Sequence, residues 1–190
     1  MTNLTESSIE AWVIDLLKEQ GFAFIHGPDV APDAETSSPL QRSSFSEVLL
    51  NGVVKESLQR INPQLEPDDC QAALNQIQRI ASPELIANNE TFHRLLTEGV
   101  KVTVQKEGRE RGELAWLIDF AHPENNTFHA INQLTIVEQN INRRPDLILF
   151  VNGLPLVVIE LKNATSEQAT IESAFQQCQT YKAQIPSLFT

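Results

Sequence analysis

Residues 143–162 read RRPDLILFVNGLPLVVIELK. Asp146 opens one apolar run, Glu160 and Lys162 close the next, and Asn152 and Gly153 lie between them. Short apolar runs on either side of Asn-Gly are the strongest local signal for a β-hairpin. Side chains alternate along a strand, so Leu156, Val158, Glu160 and Lys162 share one face of the second strand, and Val157, Ile159 and Leu161 share the other. Both faces are apolar as far as Ile159, which predicts a central strand covered on both sides. Charged side chains are depleted from such strands unless they pair or bind a cation. The three at the open end of this hairpin therefore need a reason.

Spacing alone leaves two readings. In one, Asp146 and Glu160 meet at the end of the hairpin and hold Mg²⁺ through hard oxygens, aided by the Leu161 carbonyl. Lys162 then orients a water, or helps deprotonate it. In the other, Glu160 and Lys162 are the solvated end of a buried strand, and Asp146 caps a turn after Pro145. The second reading is the stronger on spacing, because an acid at this distance from E-x-K is common by chance. Register separates the two. A two-residue turn at Asn152-Gly153 puts Asp146 and Glu160 on opposite faces. An odd loop or a bulge at Gly153 makes them cofacial, so the metal reading predicts one of these.

Outward from the hairpin, residues 7–20 follow the i, i+3, i+4 pattern of a helix, with Ile9, Trp12, Val13, Leu16 and Leu17 as its apolar face. Ser7-x-x-Glu10 fits a capping box, and Gly21 suits the residue after the helix. A short strand is expected at 22–25 and a Pro- and Ser-rich loop at 28–43. Helices are expected near 45–60, 68–81 and 88–97, punctuated by Pro63, Pro67 and Pro83. Extended segments follow at 100–105, 114–120 and 128–137, with a turn at 107–112. A last helix is expected over 166–184, its apolar face formed by Ile171, Ala174, Phe175, Cys178 and Tyr181. The order predicts an α/β (α+β) fold: a central mixed sheet flanked by helices, with a loop plus helical insertion over 28–98 and the catalytic sheet and helix over 100–185.

The 190 residues carry a net charge of -11, which argues against a free-standing tight nucleic-acid binder. Basic and acidic residues balance between 141 and 190, so the negative charge sits in 1–140. No apolar stretch approaches the roughly 18 residues that cross a bilayer, and MTNLTESSIEAW has neither part of a secretory signal. Cys70 and Cys178 make no CxxC, and the histidines show no zinc spacing. These features predict a cytoplasmic protein without membrane association.

Taken together, Pro145-Asp146 and Glu160-Leu161-Lys162 resemble the PD-(D/E)xK nuclease signature. The longer stretch RRPDLILFVNGLPLVVIELKN resembles the nuclease segment of the R (restriction) subunit of type I restriction–modification enzymes. Gln177-x-x-x-Tyr181 in FQQCQTYKAQIPSLF is similar to the QxxxY motif of that family and of RecB-type nucleases. NNETFHRLLTEGV, IDF at 118–120 and INQLTI at 131–136 fit the same family. The resemblance implies a restriction-endonuclease-like core acting on double-stranded DNA. Asp146 and Glu160 would be ligands of Mg²⁺ or Mn²⁺ together with the Leu161 carbonyl, and Lys162 would be the catalytic lysine. Gln177 and Tyr181 would abut the site, or simply pack their helix. Glu10 matches the helical acid of such sites, against its capping-box reading. Arg143 and Arg144 could contact phosphate or be solvated, and His122 and His129 read as surface or packing residues. The resemblance also implies methyltransferase and specificity subunits as partners and an ATP-driven motor elsewhere, because no GxxxxGK[ST] loop occurs here. The sequence then reads as an N-terminal piece whose sheet has an unfilled edge. The rival readings are a non-catalytic docking module and a repair or recombination nuclease of the same fold.

Overall fold

The computed structural model describes residues 5–35, 38, 40–106, 108–163 and 170–190. In chain order the elements are α1 (Glu6–Glu19), β1 (Ala23–His26), α2 (Asn51–Ile61), α3 (Pro67–Gln78), α4 (Leu85–Glu98), β2 (Val100–Lys106), β3 (Arg109–Ala115), β4 (Phe128–Asn132), β5 (Ile136–Glu138), β6 (Ile141–Arg143), β7 (Leu147–Val151), β8 (Leu154–Ile159) and α5 (Ile171–Gln184). The expected mixed α/β architecture is observed. The described residues of Met1–Val48, Phe128–Phe150 and Pro155–Leu188 form one compact unit; those of Leu49–Thr127, Val151–Leu154 and Phe189–Thr190 form a second.

The first unit is built on a sheet of order β1-β4-β7-β8. β1 is parallel to β4, with His26 opposite Asn132. β4 is antiparallel to β7: Gln133 N–H donates to the Asp146 carbonyl near one end, and Asn152 N–H to the Thr127 carbonyl near the other. Only two residues join β7 to β8, a connection that antiparallel neighbours alone permit. The last residues of β1, β4 and β8 and the first of β7 therefore gather at one end of the sheet. β8 is the last strand in the order, so it is an edge strand and not the central, doubly covered strand its apolar run suggests. A short apolar run does not by itself distinguish these cases.

α1 covers one face of this sheet. Its Ile14 and Leu17 are buried with Ala130 and Leu147, and Val13, Phe22, Phe24, Leu149 and Ile159 pack around them. The expected stripe is only partly right: Leu17 is inside, but Trp12 is 70 % exposed and Leu16 is exposed too. The cap is also displaced. Thr5, not Ser7, is the N-cap, and its hydroxyl accepts from Ser8 N–H. At the other end Gly21 N–H bonds the Lys18 carbonyl and Phe22 N–H the Leu17 carbonyl, a Schellman ending. α5 departs from its expected stripe more strongly. Tyr181 is buried, whereas Ile171 is 92 % exposed and Phe175 is exposed; residues 166–169 of the expected helix lie outside the described residues.

The extended segment expected over 128–137 is broken at Gln133, where φ is 51°. β5 and β6 form a separate two-stranded hairpin that the sequence reading lacks, turned by Gln139 and Asn140, both at positive φ. The described part of the 28–43 loop is clasped. Gln41 donates to the carbonyls of Ala31, Pro32 and Ala34. Buried Arg42 donates to those of Glu47 and Thr135. Burial lowers the Arg42 guanidinium to about 10, against the opposing pull of Glu47.

In the second unit, β2 and β3 pair with each other and not with the four-stranded sheet. They fall with the helical insertion, so the insertion unit extends past 98, and β3 ends at Ala115 where a strand over 114–120 is expected. Asn62 fixes the chain beyond β3, accepting from Trp116 N–H and donating to the Trp116 carbonyl. Asn152 does the same at the hairpin turn. Its amide donates to the Leu117 carbonyl and to Asn126, and its oxygen accepts from Thr127 N–H.

Candidate active site

Glu160 and Lys162 follow β8 directly, and Asp146 precedes β7 by one residue. The Glu160 side chain is 5 % exposed. Its Oε1 accepts from Lys162 Nζ at 2.7 Å, and its Oε2 accepts from the Tyr181 hydroxyl at 3.0 Å. Gln177 Nε2 donates to that hydroxyl from one helical turn away, at 3.0 Å. Asp146 Oδ2 accepts the Leu161 N–H at 2.8 Å. The structure thus brings together Asp146, Glu160, Leu161, Lys162, Gln177 and Tyr181.

The register expectation has a divided outcome. The turn has two residues, Asn152 at φ 52° and Gly153 at φ 81°, as a type I′ turn requires. The odd loop that the metal reading asks for at Gly153 is absent. Asp146 nonetheless reaches the chain that follows β8: its Oδ2 accepts the Leu161 N–H, next to Glu160. Two features explain this. Both acids lie just outside the paired strands, where alternation no longer binds them. In addition, Ile159 packs against the cluster that contains Leu147, whereas strict alternation from the turn puts Val158 on the Leu147 face.

The surroundings shift the titratable groups around Glu160 in one direction. Partial burial works against the Lys162 ammonium. The hydrogen bond and charge of Glu160, with the charges of Asp146 and Glu6, outweigh it and hold this lysine above its ordinary value. Burial, then the Glu160 charge and hydrogen bond and the Asp146 charge, push the Tyr181 phenol far up, against the Gln177 bond. Burial and Glu160 likewise raise the Cys178 thiol, opposed by Lys182 and Lys162.

The other candidates make different contacts. Glu10 accepts from Asn132 Nδ2 at 2.7 Å and caps nothing. Arg143 Nε donates to Gln184 Oε1 and its Nη1 to the Asn142 carbonyl; Arg144 is exposed. His122 pairs with Glu124 at the surface, and half-buried His129 leaves its buried Nδ1 without a hydrogen-bond partner.

The donors suit a hard divalent cation. Each Glu160 oxygen accepts one hydrogen bond and keeps a second lone pair, and Asp146 adds a second carboxylate. Among the described residues no group of three or more His, Cys, Asp and Glu side chains could hold a metal. Two carboxylates with a carbonyl and water oxygens match how Mg²⁺ is commonly held, so the residues fit.

Residues 3–190 match the family of the type I restriction enzyme R protein N terminus. The chain belongs to that family. It is 36% identical over 192 residues to the type I restriction enzyme HindI endonuclease subunit of Haemophilus influenzae, a match that takes in 98% of this chain and 17% of that protein. It is 28% identical over 184 residues to a Methanocaldococcus jannaschii protein assigned as the MjaIXP endonuclease subunit of a type I restriction enzyme, covering 95% of this chain and 17% of the relative. The chain therefore spans about a sixth of the length of these curated relatives. No helix among the described residues is long and apolar enough to cross a membrane.

Proposed function

We propose that this domain is the metal-dependent endonuclease of a type I restriction enzyme R subunit. It hydrolyses phosphodiesters of double-stranded DNA inside a cytoplasmic complex with methyltransferase and specificity subunits, coupled to an ATP-driven motor outside these residues. The observation that carries the reading is Glu160, held on one oxygen by Lys162 and on the other by Tyr181, beside Asp146.

Asp146, Glu160 and the Leu161 carbonyl would hold Mg²⁺ or Mn²⁺, which supplies a Lewis acid for water activation and phosphate charge. The protein's own groups do the rest. Tyr181 and Gln177 keep Glu160 in one orientation, and the Leu161 N–H does so for Asp146. Fixed placement of this kind lowers the reorganisation needed at the moment of reaction. Lys162 bonds Glu160 through one of its N–H donors, and an ammonium has two more with which to donate to, and offset charge on, the reacting phosphate. With an overall charge of -11 the isolated domain binds DNA weakly.

Calorimetry with Mg²⁺ and Mn²⁺ tests the reading. Folded wild-type protein binds the cation and Asp146→Ala loses most of the binding. Equal binding by both proteins removes Asp146 from the site. No binding by either leaves the non-catalytic docking module as the better reading.

A further inference from the structure

The open end of the sheet carries a second polar group, two strands from Asp146, that the proposed chemistry does not use. His26 ends β1 and is the register partner of Asn132, which ends β4. The next residue along, Gln133, donates its N–H to the Asp146 carbonyl at 3.1 Å. His26, Asn132 and Asp146 therefore sit on successive strands at one end of the sheet.

The imidazole is held in place from two sides. The backbone after His26 lies directly on β4: a Cβ on Gly27 would stand 2.4 Å from the Asn132 carbonyl oxygen and 2.7 Å from that of Gln133. Only glycine permits that approach. The ring itself is bonded, Nδ1 to Asn132 Oδ1 at 2.9 Å. Asn132 is buried and cannot turn freely, because its Nδ2 donates to Glu10 Oε1 at 2.7 Å. A carboxylate only accepts, so the amide nitrogen faces Glu10 and the amide oxygen faces His26. The oxygen also only accepts, so His26 Nδ1 carries a hydrogen. His26 is an exposed residue, and its other ring nitrogen, Nε2, takes no part in that bond.

We infer that His26 is a DNA-backbone contact: Nε2–H donates to a phosphate oxygen, with Asn132 and Glu10 as the residues that position the ring. This rests on the nuclease reading above. A phosphate oxygen only accepts, so the bound ring carries hydrogens on both nitrogens. Glu10, behind Asn132, supplies the opposing negative charge. Glu10 from α1 and Asn132 from β4 are the polar groups bonded into this chain. Two inter-strand spacings separate His26 from Asp146, about 10 Å at roughly 4.8 Å each. That is too far for a group reacting at the acids and suits a phosphate beside the one being cut.

The test is DNA binding by the full chain as a function of salt, in chelator so that no strand is cut, with a duplex read by fluorescence anisotropy. His26→Ala weakens binding on the order of five- to ten-fold, as expected for one charge-assisted bond, and lowers the salt slope by about one unit, as for one lost phosphate contact. His26→Arg keeps the slope. Asn132→Ala weakens binding with His26 intact, because the ring is no longer aimed. Unchanged affinity and slope in folded His26→Ala overturn the proposal. Cleavage by Glu160→Ala, run alongside, keeps the two readings apart. Retained cleavage there defeats the nuclease reading itself. Lost cleavage there, with normal binding by His26→Ala, defeats only the His26 contact.

Discussion

The β7–β8 hairpin ends in two polar clusters of opposite design. At the turn, Asn152 is buried and neutral, and it is bonded chiefly to main chain: the Leu117 carbonyl and the Thr127 N–H. At the open end, the Glu160 side chain is nearly as buried, and its partners are side chains, Lys162 and Tyr181. Main-chain groups must be satisfied wherever they are buried, so the Asn152 cluster holds the chain in shape. Side chains need not have been there at all. A buried carboxylate with a lysine and a tyrosine gathered around it costs desolvation that an apolar residue would avoid, a cost that the proposed chemistry at the open end would justify.

Mutations at the two ends should therefore fail in different ways. The largest stability loss is expected at the turn. Gly153→Ala would place a Cβ 2.8 Å from the Leu50 carbonyl oxygen at φ 81°, and should cost about 4 kcal/mol in denaturant unfolding. Asn152→Ala orphans buried main-chain groups and should cost about 3 kcal/mol. A loss below about 1 kcal/mol from either would remove the contrast.

Tyr181→Phe sharpens it from the other side. The ring stays packed and only the bond to Glu160 goes, so stability should change by about 1 kcal/mol while cleavage falls roughly ten-fold. A fall in melting temperature without a fall in cleavage would make Tyr181 a packing residue only.

The smallest effect belongs to His129. Burial lowers its pKa from the ordinary 6.5, so the unfolded chain takes up the proton first as the pH drops. The stability from the neutral ring is complete above 6.5 and is lost as pH falls through the lower folded value. Unfolding midpoints measured between neutral and mildly acidic pH should fall with pH in wild type, and less steeply in His129→Gln. Equal slopes would assign the acid sensitivity to other groups.

Sequence made the open end more legible than the elements around it. Asp146, Glu160, Lys162, Gln177 and Tyr181 were all recoverable as a motif, and the structure brings them together. The helical faces were less legible. Trp12 and Leu16 fit the apolar period of α1 but stay exposed, because period alone does not say which part of a wide stripe meets the sheet; Ile14, outside the expected stripe, does so instead. The two-residue turn was signalled by Asn-Gly, but the bond from the Leu161 N–H to Asp146 lies beyond the paired residues, where strand alternation gives no guide. His26 and Asn132 are separated by more than a hundred residues, and their pairing depends on the parallel register of β1 and β4.

Plasmid cleavage by the assembled enzyme carrying Glu160→Ala is the most direct test of the open end as a nuclease centre. DNA binding and ATP-driven movement should persist, the protein should melt within a few degrees of wild type, and cleavage should fall at least a hundred-fold, as for loss of a group that stabilises charge in the transition state. Undiminished cleavage by the folded variant would contradict the assignment of Glu160, and with it the reading of Asp146 and Lys162.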